Sequence, residues 1–128
     1  MSYVTIFPKT GTKTENNRVN SAWSPNVDII EGDDAFSLEF DLPGYEKENI
    51  NLTVKEGVLT VSGERKLRDS ENGKYFSYFE RPKGAFSRSF RLPDHIDAEK
   101  ISSSYKNGVL AVDIKKKEEA KPYQIKIN

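Results

Sequence analysis

Strict alternation of apolar and polar residues is the feature that most limits how this chain can fold. Every second residue from Phe36 to Leu42 is apolar, and the same period recurs from Ile50 to Val54. Because successive side chains of a β-strand point to opposite faces, this period predicts strands with one buried face and one solvated face. The pattern therefore predicts an all-β chain in which antiparallel strands cover a single core.

A short sequence that occurs twice predicts two hairpins. Residues 54–61 (VKEGVLTV) and 105–112 (YKNGVLAV) share the pattern Lys-x-Gly-Val-Leu-x-Val. Asn107-Gly108 is a strong hairpin signal, since both residues accept a positive φ. Glu56-Gly57 stands at the same place in the first copy. A third turn, of type II, is expected at Pro43-Gly44, where proline sets φ and glycine supplies the positive φ that follows.

The chain divides into three parts. A length of 128 residues fits one domain, and 35% apolar with 31% charged residues indicates a thin core or stability gained by association. Residues 1–24 have no regular period and predict a mobile arm, followed by a sandwich at 25–115 and an extension at 116–128. The arm is either a disordered leader or a partner-facing segment whose large apolar groups are Tyr3, Val4, Ile6, Phe7 and Trp23.

Charge and composition exclude several partners. Twenty basic residues balance twenty acidic ones, so the basic surface typical of nucleic-acid or anionic-membrane binding is missing. The chain has no cysteine, which removes disulfide and thiolate chemistry and favours a reducing compartment. No run approaches the ~18 apolar residues of a membrane span. We expect a cytoplasmic protein that binds neither nucleic acid nor membrane.

No residue pattern points to catalysis or to a cofactor. The sequence has no Gly-x-Gly, and Gly73-Lys74 lies outside any Walker spacing, so ATP use is not expected. A single histidine without cysteine makes a zinc site improbable, and His95 follows Pro93-Asp94 in a turn where a solvated side chain is expected. No Gly-x-Ser-x-Gly elbow occurs. The sequence predicts a protein that is not an enzyme and holds no cofactor or metal.

The long connection from Arg65 to Gly84 begins with charged residues and ends with aromatic ones. Connections of this length in a compact domain are usually functional. Its aromatic residues could cap the domain's own core, or they could belong to a strand lent to another subunit. These residues are Tyr75, Phe76, Tyr78 and Phe79.

Arg88 shares its parity with Phe86, Phe90 and Leu92, so a strand here would place a guanidinium on an apolar face. In one interpretation its head reaches water while its stem packs. In the other, the guanidinium is desolvated and meets a carboxylate, a pairing that subunit interfaces favour.

Several motifs, in this order, resemble the small heat-shock proteins of the α-crystallin type. They are Leu42-Pro43-Gly44, the two Gly-Val-Leu turns, the run GAFSRSFRLP at residues 84–93 and the terminal Ile-x-Ile, and the resemblance extends from about Ser24 to the end. It implies an immunoglobulin-like antiparallel β-sandwich and ATP-independent holding of unfolding proteins. It also implies homodimers that exchange a strand from the long connection and assemble into higher oligomers.

The resemblance also implies roles for individual residues. Arg88 falls on the arginine that the family places near its dimer interface, and the exchanged strand falls on the region from Tyr75 to Phe79. Ile125 and Ile127 fall on the tail motif that docks on another subunit, although an ordinary last strand of the sandwich is the alternative. The groove for that tail would be formed by Leu52, Val54, Ile101, Ser103 and Tyr105.

Two functions are compatible with these sequence features. The first is a holdase chaperone that binds unfolding client proteins. The second is a co-chaperone or adaptor sandwich that docks on another chaperone machine. The aromatic connection and the Ile-x-Ile tail favour the holdase, because an adaptor has no evident need of either.

Overall fold

A computed structural model describes residues 6–8, 23–65, 78, 80–81, 84–118 and 124–127. Its strands are β1 (Phe7–Pro8), β2 (Val27–Glu31), β3 (Ala35–Asp41), β4 (Ile50–Lys55), β5 (Val58–Arg65), β6 (Gly84–Arg91), β7 (Ile96–Lys106) and β8 (Val109–Lys116). A short 3-10 turn at Lys47–Asn49 precedes β4. No helix in the described ranges is long and apolar enough to cross a membrane.

The strands form two antiparallel sheets of four strands each. One sheet has the order β1-β6-β5-β4, and the other has the order β2-β3-β8-β7. The two hairpins, β4-β5 and β7-β8, therefore lie in different sheets. This arrangement confirms the predicted all-β sandwich.

The hairpin turns have the backbone that their sequences predicted. Lys55 pairs with Val58 across Glu56 and Gly57, whose φ angles are 53° and 76°. Lys106 pairs with Val109 across Asn107 and Gly108, at 57° and 77°. Gly44, with φ of 84°, confirms the turn after β3. Positive φ at these positions is tolerated by glycine and asparagine, whereas Glu56 adopts it at some steric cost.

The core lies between the sheets and takes alternate residues from the four central strands. Phe40 and Phe90 meet edge to face across it, with ring centroids 5.6 Å apart. Each such side chain stabilises the fold by roughly 1.5–3 kcal/mol on burial. The buried side chains of these strands are Phe36, Leu38 and Phe40 in β3, Leu59 and Val61 in β5, Phe86 and Phe90 in β6, and Leu110, Val112 and Ile114 in β8.

Two features of the structure were not predicted from the sequence. Within the part of the chain that we expected to be a mobile arm, Phe7 and Pro8 pair with Arg91 and Phe90 of β6, and Ile6 is only 3% exposed. A two-residue strand is too short to show a period in the sequence, and it forms because β6 offers an open edge. The ring of His95 is half-buried, 6.1 Å from that of Phe36, where a solvated side chain was expected.

Candidate functional site

A cavity opens between the two sheets where β4 and β7, each the last strand of its sheet, face one another. Its volume is about 300 Å³. Apolar side chains of β4 and β8 form its floor, and polar side chains lie at its rim. The lining residues are Lys47, Ile50, Leu52, Ser103, Ser104, Tyr105 and Leu110.

The structure brings together three of the five residues assigned to a groove from the sequence. Leu52, Ser103 and Tyr105 line the cavity. Val54 is 40% exposed and lies outside the lining, and Ile101 packs against the core. Whether a tail docks here stays a prediction.

Sequence reasoning missed four lining residues. Ile50 has the same parity as Leu52 on β4, so the period of that strand could have identified it. Leu110 follows the second hairpin turn and is buried at the floor of the cavity. Lys47 and Ser104 carry no signal in the sequence, since their place depends on how the two sheets face each other.

Tyr105 fixes one wall of the cavity. Its hydroxyl lies 2.5 Å from the carbonyl oxygen of Leu42 and 3.0 Å from that of Tyr45, so its one proton is shared between two acceptors. The amide of Leu42 in turn donates to the carbonyl oxygen of Gly108 at 2.7 Å. These bonds join the turn after β3 to the β7-β8 hairpin. The cavity therefore has a preformed wall.

An aromatic cluster lies beneath this turn. Trp23 Nε1 donates to the Tyr45 hydroxyl at 2.9 Å, and both rings pack on Phe86 with centroids 5.5 Å away. Burial raises the pKa of Tyr45, while the bond from Trp23 and the charge of Arg65 act in the opposite direction. Trp23 is thus a half-buried part of the fold.

The candidate client-binding residues occupy different environments. Ile6 is buried in the core and Trp23 packs against it, so neither is an exposed apolar group in this structure. Tyr3 and Val4 lie outside the described residues, and of Phe7 the structure describes only the backbone pairing. Client contact through Ile6 would require this side chain to leave the core, whereas Trp23 is only half-buried.

Arg88 lies on the apolar face that its parity predicted. The guanidinium is half-buried, its Nη1 donates to the carbonyl oxygen of Pro25 at 2.9 Å, and its carbon atom Cζ is 5.2 Å from the centroid of the Phe90 ring. Burial lowers the pKa of this guanidinium. Among the described residues the hydrogen bond of this guanidinium thus goes to a backbone carbonyl oxygen, and the carboxylate of the second interpretation is not among its partners there.

The tail and the aromatic connection are described only in part. Ile125 and Ile127 are 74% and 92% exposed. Tyr78 is exposed and donates its hydroxyl proton to Glu80 at 3.0 Å. Tyr75, Phe76 and Phe79, the other residues assigned to the dimer interface, lie outside the described residues.

The described ranges hold no cluster of three or more histidine, cysteine, aspartate or glutamate side chains that could bind a metal ion. The described residues do offer two surfaces for binding: the cavity at one side of the sandwich and the exposed apolar side chains of Ile125 and Ile127.

The sandwich and its motifs match a known family. The model of the Hsp20/alpha crystallin family matches residues 28–128. The chain belongs to this family. Its members are chaperones and are typically not enzymes, so a chaperone role follows from membership.

Relatives and solved structures agree with this assignment. Small heat shock protein C4 of Rickettsia felis is 36% identical over 109 residues, which are 85% of this chain and 67% of that protein. The 18 kDa antigen 2 of Mycobacterium avium is 41% identical, over 80% of this chain and 72% of that protein. A small heat-shock protein from Xylella fastidiosa, known from its crystal structure, is 39% identical in sequence. The two structures superpose with a TM-score of 0.71 over 84% of this chain and 99% of the Xylella chain.

Proposed function

We propose that this protein is an ATP-independent holdase that binds unfolding proteins in the cytoplasm and prevents their aggregation. It works as a dynamic oligomer of strand-exchanged homodimers. The observation that carries the proposal is the open cavity between β4 and β7 together with two exposed isoleucines in the C-terminal extension. The cavity combines apolar side chains with a polar rim, the two isoleucines are exposed to solvent, and no described residue covers either surface.

The tail supports reversible assembly. Ile125 and Ile127 are two residues apart, so in an extended segment their side chains lie on one side, roughly 7 Å apart. Burying both contributes ~3–6 kcal/mol, while ordering the backbone opposes this by ~1–2 kcal/mol per residue. One docked tail is therefore weakly held. Several tails engaged together gain from effective concentration, so the oligomer is stable while each contact opens and closes.

Strand exchange is supported by the aromatic connection and by the sheet edges. Tyr78 is exposed in the isolated chain, and an extended aromatic strip in water invites edge pairing. β2 is an end strand of its sheet, and its Ile30 side chain is half exposed. A strand lent by a partner would cover apolar surface of this kind.

The test compares aggregation of a heat-denatured client, without nucleotide, in the presence of wild type and of the double variant Ile125→Ala, Ile127→Ala. We expect wild type to suppress light scattering, and native mass spectrometry to show that the double variant falls to dimers with its β signal intact. Lys126→Gln, between the two isoleucines, is the matched control and should assemble like wild type.

Two results would contradict parts of this proposal. A double variant that remains fully assembled would show that the tail does not hold the oligomer. A wild-type protein that assembles but leaves client aggregation unchanged would favour the adaptor function over the holdase.

A further inference from the structure

The two sheets of the sandwich are built on one plan. β3 and β6, each with the two residues that follow it, share the sequence pattern AFS-x-x-F-x-L-P, and each pairs with the second strand of a Gly-Val-Leu hairpin. The backbone N–H of Leu42 donates to the carbonyl oxygen of Gly108 at 2.7 Å, and that of Leu92 donates to the carbonyl oxygen of Gly57 at 2.8 Å. Positions on the solvent-facing side of one sheet therefore have equivalents on the other.

Equivalent positions on these two solvent-facing sides carry different charges. Asp41 pairs with Val109 in one sheet, and Arg91 pairs with Val58 at the same place in the other. A strand position that holds a carboxylate on one side of the sandwich thus holds a guanidinium on the opposite side.

The outer side of the sheet β2-β3-β8-β7 carries three carboxylates close together. Asp28 of β2 lies directly opposite Glu39 of β3, and Asp41 lies two residues further along β3 on the same side. Like charges directly opposite each other destabilise a strand pair, and none of the three forms an ion pair with another described residue. We call this side, with Asp28, Glu39 and Asp41, the acidic face. Its other charged side chains at paired positions are Lys106, Asp113 and Lys115, and the last two pair with each other at 3.4 Å.

The outer side of the sheet β1-β6-β5-β4 carries two cations in one row. Val58 of β5 has Lys55 of β4 and Arg91 of β6 as its direct neighbours, which places the two cations two strand spacings, roughly 10 Å, apart. Neither forms an ion pair with another described residue. We call this side, with Lys55 and Arg91, the basic face. Its carboxylate at a paired position, Glu64, lies at the other end of β5 from Val58, roughly 20 Å away.

Small side chains between the charges keep both faces flat. On the basic face Thr60 and Ser89 are neighbours on β5 and β6, and their hydroxyl oxygens are 3.0 Å apart. On the acidic face Ala111 and Ser104 occupy the row that continues from Glu39. Two sheets that stack face to face lie about 10 Å apart, and side chains of this size leave that approach open.

We propose that the acidic face of one copy of this chain docks on the basic face of a second copy. Lys55 and Arg91 of one copy then lie against Glu39 and Asp41 of the other, so that opposite charges meet across the contact. Docking that sets the cations over β2 and β3 keeps them away from Lys106, which lies on β7 at the far edge of the acidic face. The occupant is a second copy because one chain carries both halves of the match.

Such a contact joins two unlike faces and leaves one face of each kind free. A heterologous contact of this type builds rings or open chains instead of stopping at a dimer. It goes beyond the proposed function, since it needs neither the tail nor strand exchange. Exposed ion pairs each contribute little and are screened by salt, so the association is expected at high protein concentration and low ionic strength.

The contact is tested by sedimentation velocity of the full chain over a range of protein concentrations, at ionic strengths of about 0.02 M and about 0.5 M. The face variants are Glu39→Lys and Arg91→Glu. Glu99→Lys and Lys117→Glu change the net charge equally at exposed positions outside the paired rows of both faces, so they are the matched controls. At the low ionic strength each face variant should self-associate at least about tenfold more weakly than wild type, because attraction becomes repulsion, and the controls should match wild type.

Mixing the two face variants supplies the decisive comparison. Glu39→Lys retains the basic face and Arg91→Glu retains the acidic face, so a mixture should associate more strongly than either variant alone. A mixture that associates no more strongly than its components would overturn the proposal. Loss of association in Glu39→Lys alone, with Arg91→Glu behaving as wild type, would also overturn it, since the acidic face would then bind some other basic surface.

The tail variant Ile125→Ala, Ile127→Ala separates this contact from tail docking. In that variant, association at about 0.02 M salt should persist, and it should fall at about 0.5 M salt and when Arg91→Glu is added. Absence of association in the tail variant would overturn the docking of the two faces and leave the proposed role of the tail intact. Because Glu39 and Arg91 are exposed, both face variants are expected to fold, which their circular dichroism checks.

Discussion

The gap between the two sheets is filled at one lateral side of the sandwich and open at the other. On the closed side, defined here by Ile6, Pro25 and Arg88, chain segments outside the central strands fill the gap between the sheets. Pro25 and Ile6 are buried, and Arg88 of β6 bonds to the carbonyl oxygen of Pro25, just before β2. On the open side, β4 and β7 leave the cavity of about 300 Å³.

The difference shows which apolar surface the chain covers for itself. Ile6 and Pro25, and in part Arg88, are desolvated on the closed side by residues of the same chain, so these side chains contribute to folding. On the open side Ile50 and Leu52 are only partly covered by the described residues and Val54 is 40% exposed, so part of their hydrophobic surface is available for association. Changes on the closed side should therefore lower stability, whereas changes on the open side should alter assembly more than folding.

The largest loss of stability is expected from Phe86→Ala. Phe86 is buried and joins Trp23 and Tyr45 to the core, so truncation removes both ring contacts and leaves a cavity. Urea denaturation should show a free energy of unfolding lower by ~3–5 kcal/mol. Phe86→Leu, which keeps most of the volume, should cost clearly less. Equal losses in the two variants would contradict a tightly packed cluster.

Arg88→Met should lower the free energy of unfolding by roughly 1.5–3 kcal/mol, because it removes a charged hydrogen bond and leaves the Pro25 carbonyl without its donor. Because methionine retains much of the apolar stem, the change in the free energy of unfolding reports mainly on the loss of the guanidinium. Chemical denaturation at fixed protein concentration measures the effect. A loss under about 0.5 kcal/mol would support the interpretation in which the head of Arg88 reaches water.

Tyr105→Phe should cost about 1 kcal/mol, since it removes the hydroxyl that serves two carbonyl oxygens but keeps the ring. Hydrogen exchange at the turn after β3 should become faster, because that turn is held from β7. Ser104→Ala, an exposed neighbour on the same strand, is the control and should leave exchange unchanged. If exchange became faster only in Ser104→Ala, the Tyr105 hydroxyl would not be the contact that stabilises this turn.

The smallest effect on folding is expected from Val54→Asn on the open side. Val54 is largely outside the core, so the free energy of unfolding should change by less than about 0.5 kcal/mol. Native mass spectrometry should show weaker assembly, as expected if the groove for the tail extends beyond the cavity lining to Val54. If the free energy of unfolding fell by more than about 1 kcal/mol, Val54 would be contributing to the stability of the fold. The open side would then matter for folding more than its exposure indicates.

The turns and strands could be read from the sequence because their causes are local. Period-two alternation identified β3 and β4, and residues that accept positive φ identified the turns at Gly57 and Gly108. The face of Arg88 followed from the parity of β6 alone. Leu52 and Tyr105 were assigned to one groove only through the resemblance to a family, because nothing local indicates that β4 and β7 face each other.

The sequence by itself determined an antiparallel sandwich, its two hairpins and the absence of residue patterns for catalysis, because periodicity and turn chemistry act within a few residues. Only the tertiary structure decided which side is closed. Arg88 bonds to Pro25, 63 positions away, and the Trp23 bond to Tyr45 spans 22 positions. Such contacts depend on where the two sheets bring distant segments together, so no local pattern encodes them.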